Sequence, residues 1–271
     1  MTGNGNLGSP DATQAVSEGE ATYRDFLELR ESYSDNGYVV AKQVFDRATL
    51  ALLGESAKFV LEKSGKDSHE ASLEEVILEK EAQDHNLVYQ AAQSVGSSAA
   101  VYQLLGSSPI FKAISAVTGF ETSQLHVMPL YLIIQIPSDG RFDYTWHQDG
   151  SYYPWCQDFL TLWFPVNRDT GRDTGTISMI PGSHQYGPRD TETFLRHGYF
   201  KQIESKLRAG EANMEEVLEV DLGDCCIMNG NTVHRSVANR STSPRVAGVL
   251  RIASLGTQEG YDRERFYCTH K

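Results

Sequence analysis

The sequence predicts a mainly β fold with flanking helices, a double-stranded β-helix of the jelly-roll or cupin-like kind. Three observations carry the prediction. From about Ser123 onward the chain breaks into short apolar and β-branched runs divided by Gly, Pro, Asn and Asp, the mark of many short strands. The residues before that point place their apolar side chains at helical spacing. Finally, three side chains of metal-ligand type, His147, Asp149 and His234, stand far apart in the chain, and converging them on one ion requires a closed β scaffold.

In chain order, residues 1–20 are rich in Gly, Ser, Ala, Asn and Asp without an apolar core. They read as a disordered tail, neither secretory signal nor basic transit peptide. Thr22 to Tyr33 places Tyr23, Phe26, Leu27 and Leu29 at helical spacing, and Gly37-Tyr38-Val39-Val40 is a short β run. Asp46 is suited to cap a helix whose Leu50, Leu53, Ala57, Val60 and Leu61 form one stripe ending at Ser64-Gly65. Ser72 to Glu81 reads as an acidic surface helix, and Ser108-Pro109 opens a helix closed by Gly119.

Strands are expected over Leu125 to Ile136, Tyr144 to Asp149, Phe159 to Val166 and Thr176 to Ile180. A helical insertion is expected at about Phe194 to Ala209. Val217 to Val220, Cys225 to Met228, His234 to Asn239 and Arg245 to Ser254 complete the set. The tandem Arg168-Asp169-Thr170-Gly171 and Arg172-Asp173-Thr174-Gly175 is expected to lengthen a hairpin loop. Residues 21–271 are expected to form one domain, with a helical part at 21–120 and a jelly-roll core at about 121–256.

Composition narrows the function classes. A net charge of −12 argues against nucleic acid or an anionic membrane as main partner, leaving a small molecule. No run of about 18 apolar residues is present, so no membrane helix is expected. Four cysteines without C-x-x-C spacing (Cys156, Cys225, Cys226 and Cys268) read as reduced thiols of a cytoplasmic protein.

Two imidazoles and one carboxylate can occupy one face of an octahedral iron(II), leaving three positions for an organic co-substrate and dioxygen. In a strand, residues i and i+2 face the same way. His147 and Asp149 then share a face, Thr145 and Tyr144 compete for a hydroxyl contact to the co-substrate, and Ser236 accompanies His234. Arg245, Ala247, Val249 and Arg251 share another face. Arg245, eleven residues after His234, is suited to grip a carboxylate by two parallel hydrogen bonds. Tyr144, Trp146, Tyr152 and Tyr153 would wall a substrate pocket; Arg251, on the Arg245 face, is open to touching substrate, backing up the co-substrate or making a plain salt bridge, and Arg235 should face away. His126, His184, His197 and His270 read as structural or surface histidines, and Asp158 and Asp224 as turn residues. An H-x-D pair alone is a weak signal; the distal His and Arg sharpen it.

The ordered series Trp146-His147-Gln148-Asp149, Leu162-Trp163-Phe164-Pro165-Val166, Ile180-Pro181-Gly182-Ser183-His184, Gly223-Asp224 and His234-x-Ser236…Asn239…Arg245 resembles the phytanoyl-CoA dioxygenase-like group of iron(II)/2-oxoglutarate oxygenases. The resemblance spans about Gly37 to Arg251. It implies that His147, Asp149 and His234 bind iron, that Arg245 and Ser236 hold the far carboxylate of 2-oxoglutarate, and that Gln135 and Trp163 line the same pocket. Dioxygen would then oxidise a small metabolite or natural-product intermediate, with release of succinate and carbon dioxide. Hydroxylation is the leading expectation; desaturation, cyclisation and epimerisation begin the same way. A halogenase would want the carboxylate position vacated, and Asp149 fills it. A keto-acid-independent cupin dioxygenase would have no use for Arg245, and a non-catalytic metal-binding jelly roll no use for the complete set.

Overall fold

The computed structural model describes residues 23–63, 70–140, 143–154, 156, 158–196 and 200–254. The N-terminal tail, Arg141, His197, His270 and Cys268 lie outside the described residues. Among the described residues, six helices pack on one face of the larger of two facing antiparallel sheets, and a two-stranded hairpin forms a third sheet. The helices are α1 (Tyr23–Asn36), α2 (Arg47–Lys63), α3 (Leu73–Gln83), α4 (His85–Ser94), α5 (Ala99–Ser107) and α6 (Ile110–Thr118).

The strands are β1 (Tyr38–Ala41), β2 (Leu125–Val127), β3 (Tyr131–Gln135), β4 (Phe159–Pro165), β5 (Thr174–Met179), β6 (Thr191–Arg196), β7 (Phe200–Ser205), β8 (Glu216–Val217), β9 (Cys225–Asn229), β10 (His234–Asn239) and β11 (Arg245–Ser254). The larger sheet runs β1-β9-β4-β11-β2, with β3 also on β11; the smaller runs β10-β5-β8. The two sheets form a jelly roll, although among the described residues the strand pairing does not close into one continuous ring.

The larger sheet is buried on both faces, which is why β4 and β11 read as nearly unbroken apolar runs rather than alternating ones. One face, with Leu160, Leu162, Phe164, Ile227, Val246 and Leu250, shares a core with Leu50, Leu53 and Leu61 of α2 and Ile110 and Ile114 of α6. The other face, with Trp163, Cys226, Met228, Ala247 and Val249, meets Ile177 and Met179 of the smaller sheet. Cys225 and Cys226 therefore sit in opposite cores, and both, like Cys156, are free thiols.

Helix ends follow local chemistry. Ser72 and Glu75 close a reciprocal capping box on α3, and Gly119, at φ +80°, ends α6 in the left-handed region. α3 is less of a surface helix than its acidity implied, since Val76, Ile77 and Lys80 are buried.

Four expectations need correction. The helical insertion is the hairpin β6–β7, paired from Thr191↔Ser205 to Arg196↔Phe200. The tandem Arg-Asp-Thr-Gly segment is not a hairpin loop, because β4 and β5 lie in different sheets. It carries the chain across between them: Thr170 bridges Val220, and Asp169 accepts from the Leu222 amide at 2.7 Å. Leu125 to Ile136 is two strands on successive halves of β11. Residues 144–149 are not a regular strand; His147 makes an isolated bridge to His234, and Asp149 opens a 3-10 turn.

Candidate metal centre and its cavity

The metal-ligand side chains meet between the two sheets. His147 and His234 exchange backbone hydrogen bonds of 2.9 and 3.0 Å, which sets their rings side by side with centroids 4.1 Å apart. Each Nδ1 lies against a carbonyl two residues back in its own chain, Thr145 O at 2.7 Å and Thr232 O at 3.0 Å. With Nδ1–H donating there, both Nε2 lone pairs face inward, the tautomer a metal requires. Asp149 joins them through the turn after Gln148, its Oδ1 3.6 Å from His147 Nε2. One ligand atom from each of the three residues lies within 4.8 Å of the others, and all three residues are buried. Cis ligands on an octahedral first-row ion are about 3 Å apart, so small movements suffice to seat one.

Electrostatics support the same reading. Burial pushes the His234 imidazole down to about 4, with His147 adding to the effect, so it is neutral and ready to ligate at neutral pH. Burial alone would raise the Asp149 carboxyl, but Arg251 and the two imidazoles hold it well below the usual range. Thr161 Oγ1 donates to Asp149 Oδ2 at 2.5 Å, and Arg251 Nη2 to Oδ1 at 3.2 Å. Both oxygens are thus oriented from β4 and β11, where Thr161 and Arg251 are cross-strand partners.

Beside this trio lies a small cavity walled by Tyr131, Ile133, Tyr144, Trp163 and Val249. Arg245 also faces it. The Arg245 side chain is buried, 5.4 Å over Trp163, and donates to Gln135 Oε1 and, at 3.3 Å, to Ile133 O. Burial lowers it to about 9, which leaves it charged at neutral pH. Asp143 acts on it only across the bridging Gln135, and its Nε has no partner. A buried unpaired guanidinium is costly on its own and fits an anion held from outside the chain.

The model of one family, phytanoyl-CoA dioxygenase (PhyH), matches residues 33–247. The chain belongs to the PhyH family. The reaction class follows: the chain is an oxidoreductase that uses iron(II), 2-oxoglutarate and dioxygen. A PhyH-type relative, the 1-deoxypentalenic acid 11-beta-hydroxylase of Streptomyces arenae, is 27% identical over 248 residues, 86% of this chain and 83% of that protein. The peroxisomal phytanoyl-CoA dioxygenase of Homo sapiens is 22% identical, covering 90% of this chain and 76% of its own. EvdO2 from Micromonospora carbonacea, solved with 2-oxoglutarate, superposes with a TM-score of 0.61 at 17% identity over 91% of this chain and 96% of its own; it shows the shared fold.

Against the PhyH expectations, Ser236 and Trp163 line the cavity while Gln135 does not; Gln135 stands behind Arg245 and ties it to Asp143. Tyr144 faces the cavity, and Thr145 and Trp146 turn the other way, into an outer cleft shared with Arg172, Arg235 and Arg240. The reason is one extra residue. His147 pairs with His234, but Tyr144 exchanges hydrogen bonds with Ser236, its carbonyl taking the Ser236 amide at 2.9 Å and its amide meeting Ser236 Oγ at 3.0 Å. Three steps on one side oppose two on the other, and such a bulge reverses strand parity.

Trp146 is therefore no cavity wall; its ring lies 4.9 Å under Arg235, which pairs with Glu215 at 2.6 Å. Tyr152 and Tyr153 are supports rather than cavity walls: the Tyr152 hydroxyl accepts from the Ile203 amide at 2.9 Å, and Tyr153 stacks on Phe159 and takes Arg251 Nη1 at 3.3 Å. Arg168 serves the β10–β11 connection through Ser241 and Ser243. His184 is structural, bonded to Ser34 O. Tyr131, Ile133 and Thr161 were missed as site residues, although their i, i+2 spacing to Gln135 and Trp163 carried the signal.

Proposed function

We propose that this chain hydroxylates an unactivated C–H bond of a small metabolite or natural-product intermediate, as one domain over residues 21–271, in the cytoplasm. The observation that carries the reading is two inward Nε2 atoms and a carboxylate converging beside a buried guanidinium that no carboxylate touches directly. The donor set of two imidazoles and one carboxylate fits iron(II) with positions left open. When bound, the metal couples loss of carbon dioxide from 2-oxoglutarate to oxidation of substrate by dioxygen.

The chain's own residues bind, orient and dry the site. His147, Asp149 and His234 hold the metal, and Thr161 and Arg251 fix the carboxylate that faces it. Arg245, with Ser236 beside it, takes the far carboxylate of 2-oxoglutarate in a bidentate grip. Gln135 aims Arg245. Trp163, Ile177 and Val249 surround that acid with apolar surface, so the ion pair strengthens as water leaves.

Hydroxylation is preferred because the relatives from Streptomyces are named hydroxylases. Anaerobic addition of 2-oxoglutarate to the iron-loaded protein should produce a visible absorption band. Aerobic turnover should form succinate with oxygen incorporated into product. Full succinate formation in both His147→Ala and Asp149→Ala would overturn the reading. Reduced, buried cysteines support the cytoplasm, and the continuous core shared by helices and sheet supports a single domain.

A further inference from the structure

We infer that the substrate is an apolar monocarboxylic acid whose carboxylate docks on Arg251. The inference rests on the oxygenase reading and on a count of charges. Asp149 is the one acidic side chain lining the metal cavity among the described residues. Arg245 and Arg251 line it too, while Arg235 at its rim is neutralised by Glu215. Asp143, set back behind Gln135, does act on Arg245, but Arg168 acts on Arg245 in the opposite sense.

A divalent metal and two guanidiniums outweigh one aspartate and the doubly charged 2-oxoglutarate by one positive charge. Uncompensated charge in a buried site is costly, and a singly charged anion cancels it.

Geometry places that anion. Arg251 meets Asp149 Oδ1 at 3.2 Å through Nη2, a carboxylate whose charge it shares with the cation, and its other contact is a neutral tyrosine hydroxyl at 3.3 Å. Arg251 Nε is buried without a partner. The rings of Tyr131, Tyr152 and Tyr153 stand 4.9, 5.9 and 5.4 Å from the guanidinium carbon, which limits access to water and holds the group in place.

The rest of the molecule has an apolar place to go. Tyr131, Ile133 and Tyr144 also wall a small, partly open recess along β3, lined on its far side by Val88, Tyr89, Ala92 and Gln93 of α4. A carboxylate at Arg251 and a carbon skeleton directed past Tyr131 toward α4 would occupy both.

The test is affinity selection on protein loaded with manganese(II) and 2-oxoglutarate, without turnover. The probes are an equimolar library of alicyclic monocarboxylic acids, each paired with its primary amide, and retained compounds are read by mass spectrometry. Wild type should retain acids over matched amides by at least about tenfold, the lower end for a charge-assisted hydrogen bond. Arg251→Gln should bring the ratio to within about twofold, and Arg251→Lys should keep a clear acid preference. Retained 2-oxoglutarate is the internal control. Its loss from wild type would remove the oxygenase reading and this inference together. Its presence with equal retention of acids and amides, none of either included, would remove the inference alone, as would an acid preference unchanged in Arg251→Gln. Should Arg251→Gln release 2-oxoglutarate, Arg251→Lys decides: amides held as well as acids would overturn the inference.

Discussion

Thr161→Val isolates how much the carboxylate ligand depends on being aimed. The two side chains are nearly isosteric, so the substitution removes one donor, 2.5 Å from Asp149 Oδ2, at a position 1% exposed. A hydrogen bond to a buried charged group is worth about 1.5–3 kcal/mol. In a chain of this size that corresponds to a melting temperature lower by roughly 3–10 °C in the metal-free protein. Loss of a partner that orients a metal ligand typically costs about 10–100-fold in metal affinity, measurable by manganese(II) titration.

The pH response has a definite sign. A carboxyl whose folded pKa is depressed adds stability that is fully present above its unfolded value near 4 and is lost as pH falls toward the folded value. The Asp149 carboxyl is depressed in this way. Removing the Thr161 donor raises its folded value, so Thr161→Val should lose stability, and metal, at a higher pH than wild type. Equal metal affinity and equal acid transitions in the two proteins would refute the reasoning.

Arg245→Met should abolish the thermal stabilisation that 2-oxoglutarate gives the metal-loaded protein and raise its KM at least about tenfold; a retained shift would remove Arg245 as the co-substrate anchor. Gly175→Ala should destabilise by about 1–3 kcal/mol, because Gly175 has φ +83° and an added Cβ would lie 2.5 Å from Gln135 Oε1. It should also weaken 2-oxoglutarate binding through Arg245, and unchanged denaturation and KM would contradict this. Glu211→Gln breaks a bidentate pair with Arg189 at 3.0 and 2.6 Å, with side chains 8% and 4% exposed, and should cost about 3 kcal/mol in urea denaturation. Burial raises the Glu211 carboxyl, but Arg189 and the Arg208 amide bring it net below its ordinary value. The wild-type advantage should therefore hold at neutral pH and shrink as pH falls below about 4; a constant difference down to pH 3 would contradict it.

Much of the fold was legible because burial imposes period. The stripe Leu50, Leu53, Ala57 and Leu61 is the buried face of α2, and the shared face of Arg245, Val249 and Arg251 is real. The metal trio was legible because its residue types are chemically unusual in that order. What failed was parity and polarity. Thr145 was placed on the ligand face by strict alternation, which the extra residue between Tyr144 and His147 breaks. β6–β7 was read as helix because its residues do not show apolar alternation: Gln202 and Ser205, not hydrophobic residues, are the buried positions described in β7. Thr161 carried no signal as a partner of Asp149, since a hydroxyl inside an apolar strand declares its acceptor only once both strands are in place.

Both imidazoles are steered by a main-chain oxygen from their own tripeptide, at positions 145 and 232. The direction in which each ring points is thus independent of which side chains those two positions carry. The side chains at those positions are left for other work: the buried Thr232 hydroxyl donates to Gly37 O at 2.7 Å, tying the loop before His234 to the residue that precedes β1.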